Sequence, residues 1–368
     1  MSAAPEIIAP PTVEEELDGV ERPEDVQLGD YPLDAVLIRP ETRTVHDILR
    51  KIDTTYVLDP EFQRDFVWSE DRQSRLIESV LMRIPLPTFY LAENEEGKQI
   101  VVDGLQRLST FQRFANNELA LSLKNRTELN GKRFRDLTPK LQNRVEDCNL
   151  TLYILDPKVA EQAKLDIFER VNSGVPLTRQ QMRNSLYTGK ATRFLKEESR
   201  SKEFFEATDK SIRTDTMRDR ELVNRFCAFH LLNLDRYQRD DLDDFLAQAL
   251  TEMNRKTDRD LEALSLVFRG SLRANYFLFG RFAFRKPSAS QDFRSPINVS
   301  LWDSLAVALA GRDPKEVEDQ VDDLRSAFQD LMTDEEFVGA ITRGTTDKRR
   351  VRYRIERARE VFDRVLGC

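Results

Sequence analysis

The stretch Ile100–Phe114, IVVDGLQRLSTFQRF, constrains the fold of this chain more than any other. Three consecutive β-branched residues, Ile100, Val101 and Val102, read as the end of a buried strand. The polar pair Asp103-Gly104 breaks that run, and Leu108, Phe111 and Phe114 then recur at helical spacing. The expectation is strand, tight turn, helix. At such a junction the first helical amides lack internal partners and carry partial positive charge, which suits an anion such as phosphate. Asp103 is placed to contact a metal-bound water or a ribose hydroxyl, and Arg107 to form a two-pronged contact with phosphate. The same residues equally suit a plain helix start, with Asp103 as N-cap and Arg107 on a solvated face.

The flanking residues build an α+β unit around this turn. VLIRP (36–40) reads as a short strand, and Val45, Ile48, Leu49 and Ile52 read as a helix that ends before Tyr56. A polar loop from Asp59 to Trp68 follows, carrying Gln63 and Arg64, and Ser69 is positioned to cap a helix with Leu76, Ile77, Val80 and Leu81 inward. Pro85 and Pro87 mark the end of that helix. Phe89-Tyr90-Leu91 and Ile100-Val101-Val102, on either side of the turn-prone NEEG (94–97), suggest a β-hairpin. Trp68 is either core between two helices or a ring on which a base can stack.

Charge and cysteine usage narrow the class. Residues 1–30 hold nine acids and one base, so this leader accounts for all of the net charge of -8, and the other 338 residues balance 56 acids against 56 bases. With four prolines and few large apolar residues, the leader is expected to be disordered or loosely docked, either as a solubilising tail or as a shield for a basic surface. Cys148, Cys227 and Cys368 are widely separated and only His46 and His230 are present, so no zinc spacing can be assembled. Neither an export signal nor a membrane span is legible, and a reduced, cytoplasmic protein is expected.

Four blocks carry a family resemblance: FQRDFVW (62–68), LIESVLMRIPLP (76–87), VVDGLQRLSTF (101–111) and FERVNSGVPLTRQQMRNSLY (168–187). In order and spacing they resemble the N-terminal domain of GmrSD-type modification-dependent restriction proteins, itself similar to the ParB/sulfiredoxin fold, over about residues 35–190. The resemblance implies nucleotide binding, and hydrolysis, that regulates a DNA nuclease. Its usual block is D-G-Q-Q-R; here Leu105 replaces the first glutamine. It also pairs the loop holding Gln63 and Arg64 with the Asp103 turn. In the fourth block a helix is expected to stop near Gly174 and another to start after Thr178, and Glu169 and Asn172 are candidates to assist a magnesium ion carried by a nucleoside triphosphate. Glu169 equally suits a surface pair with Arg170 or Arg179.

Beyond residue 190 the periodicity is helical. Leu222, Phe226 and Phe229 mark one helix, Leu242, Leu246 and Leu250 a second, and Leu261 to Phe284 a third; further helices are expected over Ile297–Leu309 and near Val317–Leu331. Residues 343–359 carry eight bases against Asp347 and Glu356, a net +6, on a helix expected to continue to Leu366. Arg349, Arg350 and Arg354 are therefore candidates for DNA phosphates, and Lys348 and Arg352 candidates to reach back to the nucleotide. A solvated charged face is the plainer alternative. His230, among Phe226, Phe229 and Leu231, is expected in the core or half-buried. No P-loop and no histidine-centred nuclease cluster is present, so any NTPase chemistry works without a P-loop, and the isolated chain is not expected to cut DNA.

The sequence thus divides into an acidic leader (1–30), a ParB/sulfiredoxin-like α+β domain (31–190) and an α-helical domain (191–368). The expected site joins Asp103, Gln106 and Arg107 as catalytic residues with Gln63, Arg64, Gly104, Asn172, Lys348 and Arg352 on the nucleotide and Glu169 on the metal. The expected role is a nucleotide-binding regulator in bacterial DNA restriction or phage defence, acting with a partner nuclease or another defence subunit, with DNA a further candidate partner. The alternative is a non-catalytic DNA- or partner-binding adaptor with a vestigial pocket, which Leu105 favours.

Overall fold

The computed structural model describes residues 18, 37–54, 57–58, 68–94, 97–159, 161–171, 178–214, 216–238, 240–287 and 295–367. The chain divides into two compact units, one of Leu28–Thr188 and one of Gly189–Cys368 together with Met1–Gln27.

The first unit is a mixed sheet with helices on both faces. Its strands are β1 (Ile38–Thr44), β2 (Val57–Leu58), β3 (Phe89–Glu93), β4 (Gln99–Asp103) and β5 (Asn149–Leu155), in the order β1-β5-β3-β4-β2. β3 and β4 form the expected hairpin, antiparallel, with a register shift between Tyr90 and Leu91. β5 runs parallel to β3 and antiparallel to β1, and β2 parallel to β4. α1 (Val45–Asp53), α2 (Glu70–Leu81), α3 (Leu105–Ala115) and α4 (Pro139–Glu146) cover one face; α5 (Glu161–Val171) and α6 (Arg179–Leu186) cover the other.

Strand alternation decides which residue meets which layer. Leu91, Val101, Leu152 and Ile154 point to the four-helix face, where they meet Ile77, Leu108, Phe111 and Phe114. Ala92, Val102 and Leu155 point the other way, onto Leu165, Phe168, Met182 and Leu186. Each fully buried large side chain here contributes about 1.5–3 kcal/mol. The caps are local: Thr44 accepts from the Asp47 amide and Ser69 from the Arg72 amide. β5 is a strand that the sequence reading passed over, although Leu150, Leu152 and Ile154 alternate inward along it.

In the second unit α7 (Lys190–Glu198), α8 (Lys202–Thr208), α9 (Arg218–Leu231), α10 (Leu242–Arg255) and α11 (Asp258–Phe279) are followed by α12 (Val299–Ala308), α13 (Pro314–Asp319), α14 (Val321–Thr333), α15 (Glu335–Thr342) and α16 (Lys348–Leu366). α12 is buried on all sides, as its apolar sequence requires, and its Trp302 packs against Phe204, Phe268 and Phe284 while its indole N–H donates to Leu222 O at 2.8 Å. α11 stops at Phe279 rather than Phe284 because Gly280, at φ 54°, turns the backbone out of the helix. The helix expected near Val317–Leu331 is two helices, broken at Gln320. Of the leader, Asp18 is described: it bridges Asn298 in parallel and pairs with Lys286 at 2.6 Å.

Candidate functional site

Asp103 closes β4 and Gly104 opens α3, so the strand-turn-helix junction stands as the sequence implies. The N-cap, however, is Gly104 and not Asp103: Gly104 adopts φ 100°, in the left-handed region, and no side chain caps the first turn. A Cβ at Gly104 would collide with the Phe89 ring, so glycine is required here twice over, by conformation and by space.

Arg107 is not on a solvated face. It is 8% exposed, and its guanidinium lies over the Phe89 ring at 4.1 Å. Nη1 donates to Pro87 O; Nη2 donates to Thr88 O at 3.0 Å and to the Asp103 carboxylate at 2.6 Å. These bonds fasten the start of β3 to the start of α3. Three of its five N–H groups are spent on the protein itself, so the guanidinium is held in place by Pro87, Thr88 and Asp103. Asp103 keeps 27% of its side chain exposed. Burial pushes its carboxyl above the ordinary value, against the opposing pull of Arg107 and the Gly104 amide, and burial likewise lowers Arg107.

Gln106 faces the loop before α2: its side-chain oxygen accepts from the Trp68 amide at 3.3 Å. Behind it the buried Gln73 donates to Trp68 O at 2.9 Å and accepts from Arg113 at 2.7 Å. This relay joins the start of α2 to both ends of α3, and Gln73 and Arg113 in it are not among the candidates named from the sequence. The signal was there: Gln73 is polar on the same stripe as Leu76, Ile77 and Val80. Trp68 packs partly buried against the core with the Arg72 guanidinium 4.4 Å from its ring, the core alternative rather than an open platform for a base. Leu105 also packs against that core. Gln63 and Arg64 lie outside the described residues, as do Asn172 and Gly174.

On the other face of the sheet, Thr178 caps α6 in a capping box with Gln181. The apolar stripe of RQQMRNSL is no more than Met182 and Leu186, yet Gln180, Gln181, Arg183, Asn184 and Ser185 are all buried too. Gln180 donates to Asn184 at 3.0 Å and accepts from the Arg183 Nε at 3.2 Å. Asn184 Nδ2 is buried without a hydrogen-bond partner among the described residues, a state that costs on the order of 1–3 kcal/mol unless something else fills it. Periodicity missed this cluster because a buried polar helix and a solvated one have the same pattern; the signal available was a capped helix too polar to pack. α6 lies against β4, the strand that ends in Asp103.

Glu169, on α5, is half-buried and makes no ion pair among the described residues; Arg179 pairs instead with Asp166 at 3.2 Å. Among the described residues no group of three or more His, Cys, Asp or Glu side chains could hold a metal ion by itself. A cavity of about 490 Å³ lies elsewhere in this unit, between the end of α2 and α4, lined by Arg83, Lys140 and Arg144 among others.

In the second unit three of the bases of α16, Arg352, Arg354 and Arg357, are held in ion pairs. Arg352 pairs with Asp235 at 2.5 Å and Glu356 at 3.3 Å, Arg357 with Asp334 and Glu360, and Lys348 donates to Gln238 at 2.8 Å. Arg354 is fully buried on Asp303, so the DNA contact expected of it does not fit its position: its guanidinium is enclosed by protein. Arg349 and Arg350 are exposed, although Arg350 donates to Arg343 O at 2.6 Å. His230 is partly buried and stacked on Phe226, 5.4 Å between ring centroids, and burial lowers its pKa, as a core histidine requires. No helix of the described residues is long and apolar enough to cross a membrane.

Residues 45–188 match the model of the GmrSD restriction endonuclease N-terminal domain. No curated protein and no solved structure matches the chain.

Proposed function

On the premise that residues 45–188 are a GmrSD N-terminal domain, and hence part of a restriction or phage-defence system, we propose that this unit binds a nucleoside triphosphate at the Asp103 turn and thereby regulates a partner nuclease. The observation that carries this reading is the hydrogen bond from the Trp68 amide to Gln106, which ties the residue before the Ser69 cap of α2 to the start of α3. In this reading the uncapped first turn of α3 faces phosphate, and Gln63 and Arg64 contact phosphate or base. Arg107 holds Asp103, whose exposed edge meets a water on the metal.

The donor set suits magnesium that arrives with the triphosphate, because such an ion keeps several waters and needs one or two protein carboxylates rather than three. Asp103, with Glu169 and Asn172 assisting, supplies them; the bound ion would neutralise phosphate charge. The ParB/sulfiredoxin-like topology implied by the sequence blocks remains part of the same proposal, as does a phosphate contact by Arg349 and Arg350, which stand in the first turn of α16 where the helix dipole disfavours cations.

Calorimetric titration of the full chain with each nucleotide, with and without magnesium, tests the reading. Saturable binding that is lost in Asp103→Asn, a variant that keeps an acceptor for Arg107 and stays folded by circular dichroism, is the expected result. Absence of binding to every nucleotide would overturn it. One observation favours the adaptor alternative: Leu105, partly buried against the core, stands where the family pattern has glutamine and offers a ligand no polar group.

A further inference from the structure

Eight large hydrophobic side chains stand exposed among the described residues, and four of them, Leu266, Tyr276, Phe277 and Phe282, lie on α11 or just past its end. Leu266 is 70% exposed and Phe277 49%. A concentration of this kind marks a contact surface more often than chance. α11 buries Leu261, Leu264, Phe268, Leu272 and Leu278 on its inner side. On the outer side Arg259, Ala263, Leu266, Gly270, Arg273 and Phe277 recur at alternating spacings of four and three residues, the seam of a coiled coil.

Gly270 gives the second, independent observation. It sits inside a helix of 22 residues, where glycine weakens the helix relative to alanine, and a Cβ there would meet nothing within this chain. Nothing in the fold therefore calls for it. A glycine on an open helix face does serve close approach by a side chain from outside.

We propose that α11 pairs antiparallel with α11 of a second copy of this chain, about a two-fold axis between Leu266 and Gly270. That axis sets Leu266 over Gly270 of the second copy, a large side chain into the space of an absent one. It brings Glu262 beside Arg273, and Arg259 against the ring of Phe277. The charges choose the occupant: Arg259 and Glu262 at one end are exposed and form no ion pair among the described residues, and the other end carries their complements. Arg273 pairs with Glu203 at 3.0 Å and keeps 56% of its side chain exposed, so it has donors left for Glu262 of the other copy. A self-complementary seam of this kind makes an isologous, closed dimer.

Sedimentation velocity and light scattering on the full chain at micromolar concentrations test this. A dimer is expected, and Leu266→Glu or Phe277→Glu should give a monomer with unchanged helical circular dichroism. Gly270→Ala should weaken the dimer roughly tenfold or more while the protein melts no lower, because alanine improves the helix as it fills the groove. Glu262→Arg should dissociate the dimer, and adding Arg273→Glu to it should restore association. A wild-type monomer at every concentration overturns the proposal, as does a dimer indifferent to Leu266→Glu and Gly270→Ala, or a charge swap without rescue. Dimerisation that emerges only after removal of residues 1–36 would show the leader, not a second copy, to be the occupant, and overturns it equally.

Discussion

Asp103 meets Arg107 at 2.6 Å with 27% of its side chain exposed, whereas Asp303 meets Arg225 at 2.5 Å and Arg354 at 3.0 Å with none exposed. Both are aspartates held by arginine, yet the second has two guanidinium groups around one carboxylate and the first has one. In the second unit Arg225 binds Asp303 through Nε and Nη2 together, and Arg354 spends Nη1 on Thr345 O. Burial lowers Arg225, but the charge and hydrogen bonds of Asp303 together with the charges of Glu221 and Tyr237 outweigh it and hold it above the ordinary value; burial wins for Arg354, which sits lower. The carboxylate there is wholly consumed by the fold. Asp103 keeps an open edge and a raised affinity for its proton, the condition of a group left available to something outside the chain. The difference separates an ion pair enclosed in a core from one that leaves a carboxylate edge open.

Removing Asp303 should have the largest effect. Asp303→Ala strands two buried guanidinium groups, which costs about 3–5 kcal/mol. The two tryptophans, Trp68 and Trp302, fall one in each unit, so fluorescence during urea unfolding reads the units separately. The Trp302 transition should collapse and the Trp68 transition should hold; loss of both together would erase the distinction between the two sites.

Arg107→Ala comes next. It leaves the carbonyls of Pro87 and Thr88 and the Asp103 carboxylate without their donor, and should lower the Trp68 transition by roughly 2–3 kcal/mol, less than Asp303→Ala because water reaches Asp103. An unmoved Trp68 transition would mean that Arg107 serves a ligand rather than the fold. Gly104→Ala should cost about 1–3 kcal/mol in the same transition, through its left-handed backbone and the Phe89 ring.

A pH series sharpens the contrast. The folded carboxyl of Asp103 titrates above its unfolded value near 3.8, so the native state binds more protons across the window between the two. Its contribution is therefore most favourable below the unfolded pKa and is lost as pH rises through the folded one. Asp103→Asn should remove that component from the pH dependence of the Trp68 transition in the mildly acidic range; identical profiles for wild type and variant would contradict the raised carboxyl. The smallest effect is expected of Gln106→Ala, about 0.5–1.5 kcal/mol for one hydrogen bond, read as a modest fall in the Trp68 transition with a shift in Trp68 emission.

The sequence by itself determined the local frame: the hairpin around 94–97, the turn at Asp103-Gly104, the caps Ser69 and Thr178, the inward stripes of α1, α2 and α3, and the succession of helices after residue 190. These rest on short-range rules, since periodicity, capping and turn chemistry act within a few residues. The four sequence blocks likewise carried the family, because their order and spacing survive without knowledge of any contact. Only the tertiary structure decided what each polar residue does. Arg107 reaches back to Pro87 and Thr88, Gln106 to Trp68, and Arg354 inward to Asp303. One spacing along a helix fits a solvated charge, a ligand contact and a buried ion pair equally well, and the choice among them rests on which distant residues supply the opposite charge and exclude water. The polar helix α6 is the plainest case: the spacing of Gln180, Gln181, Arg183 and Asn184 fits burial and exposure alike, and the layer formed by β4 and α5 settles it.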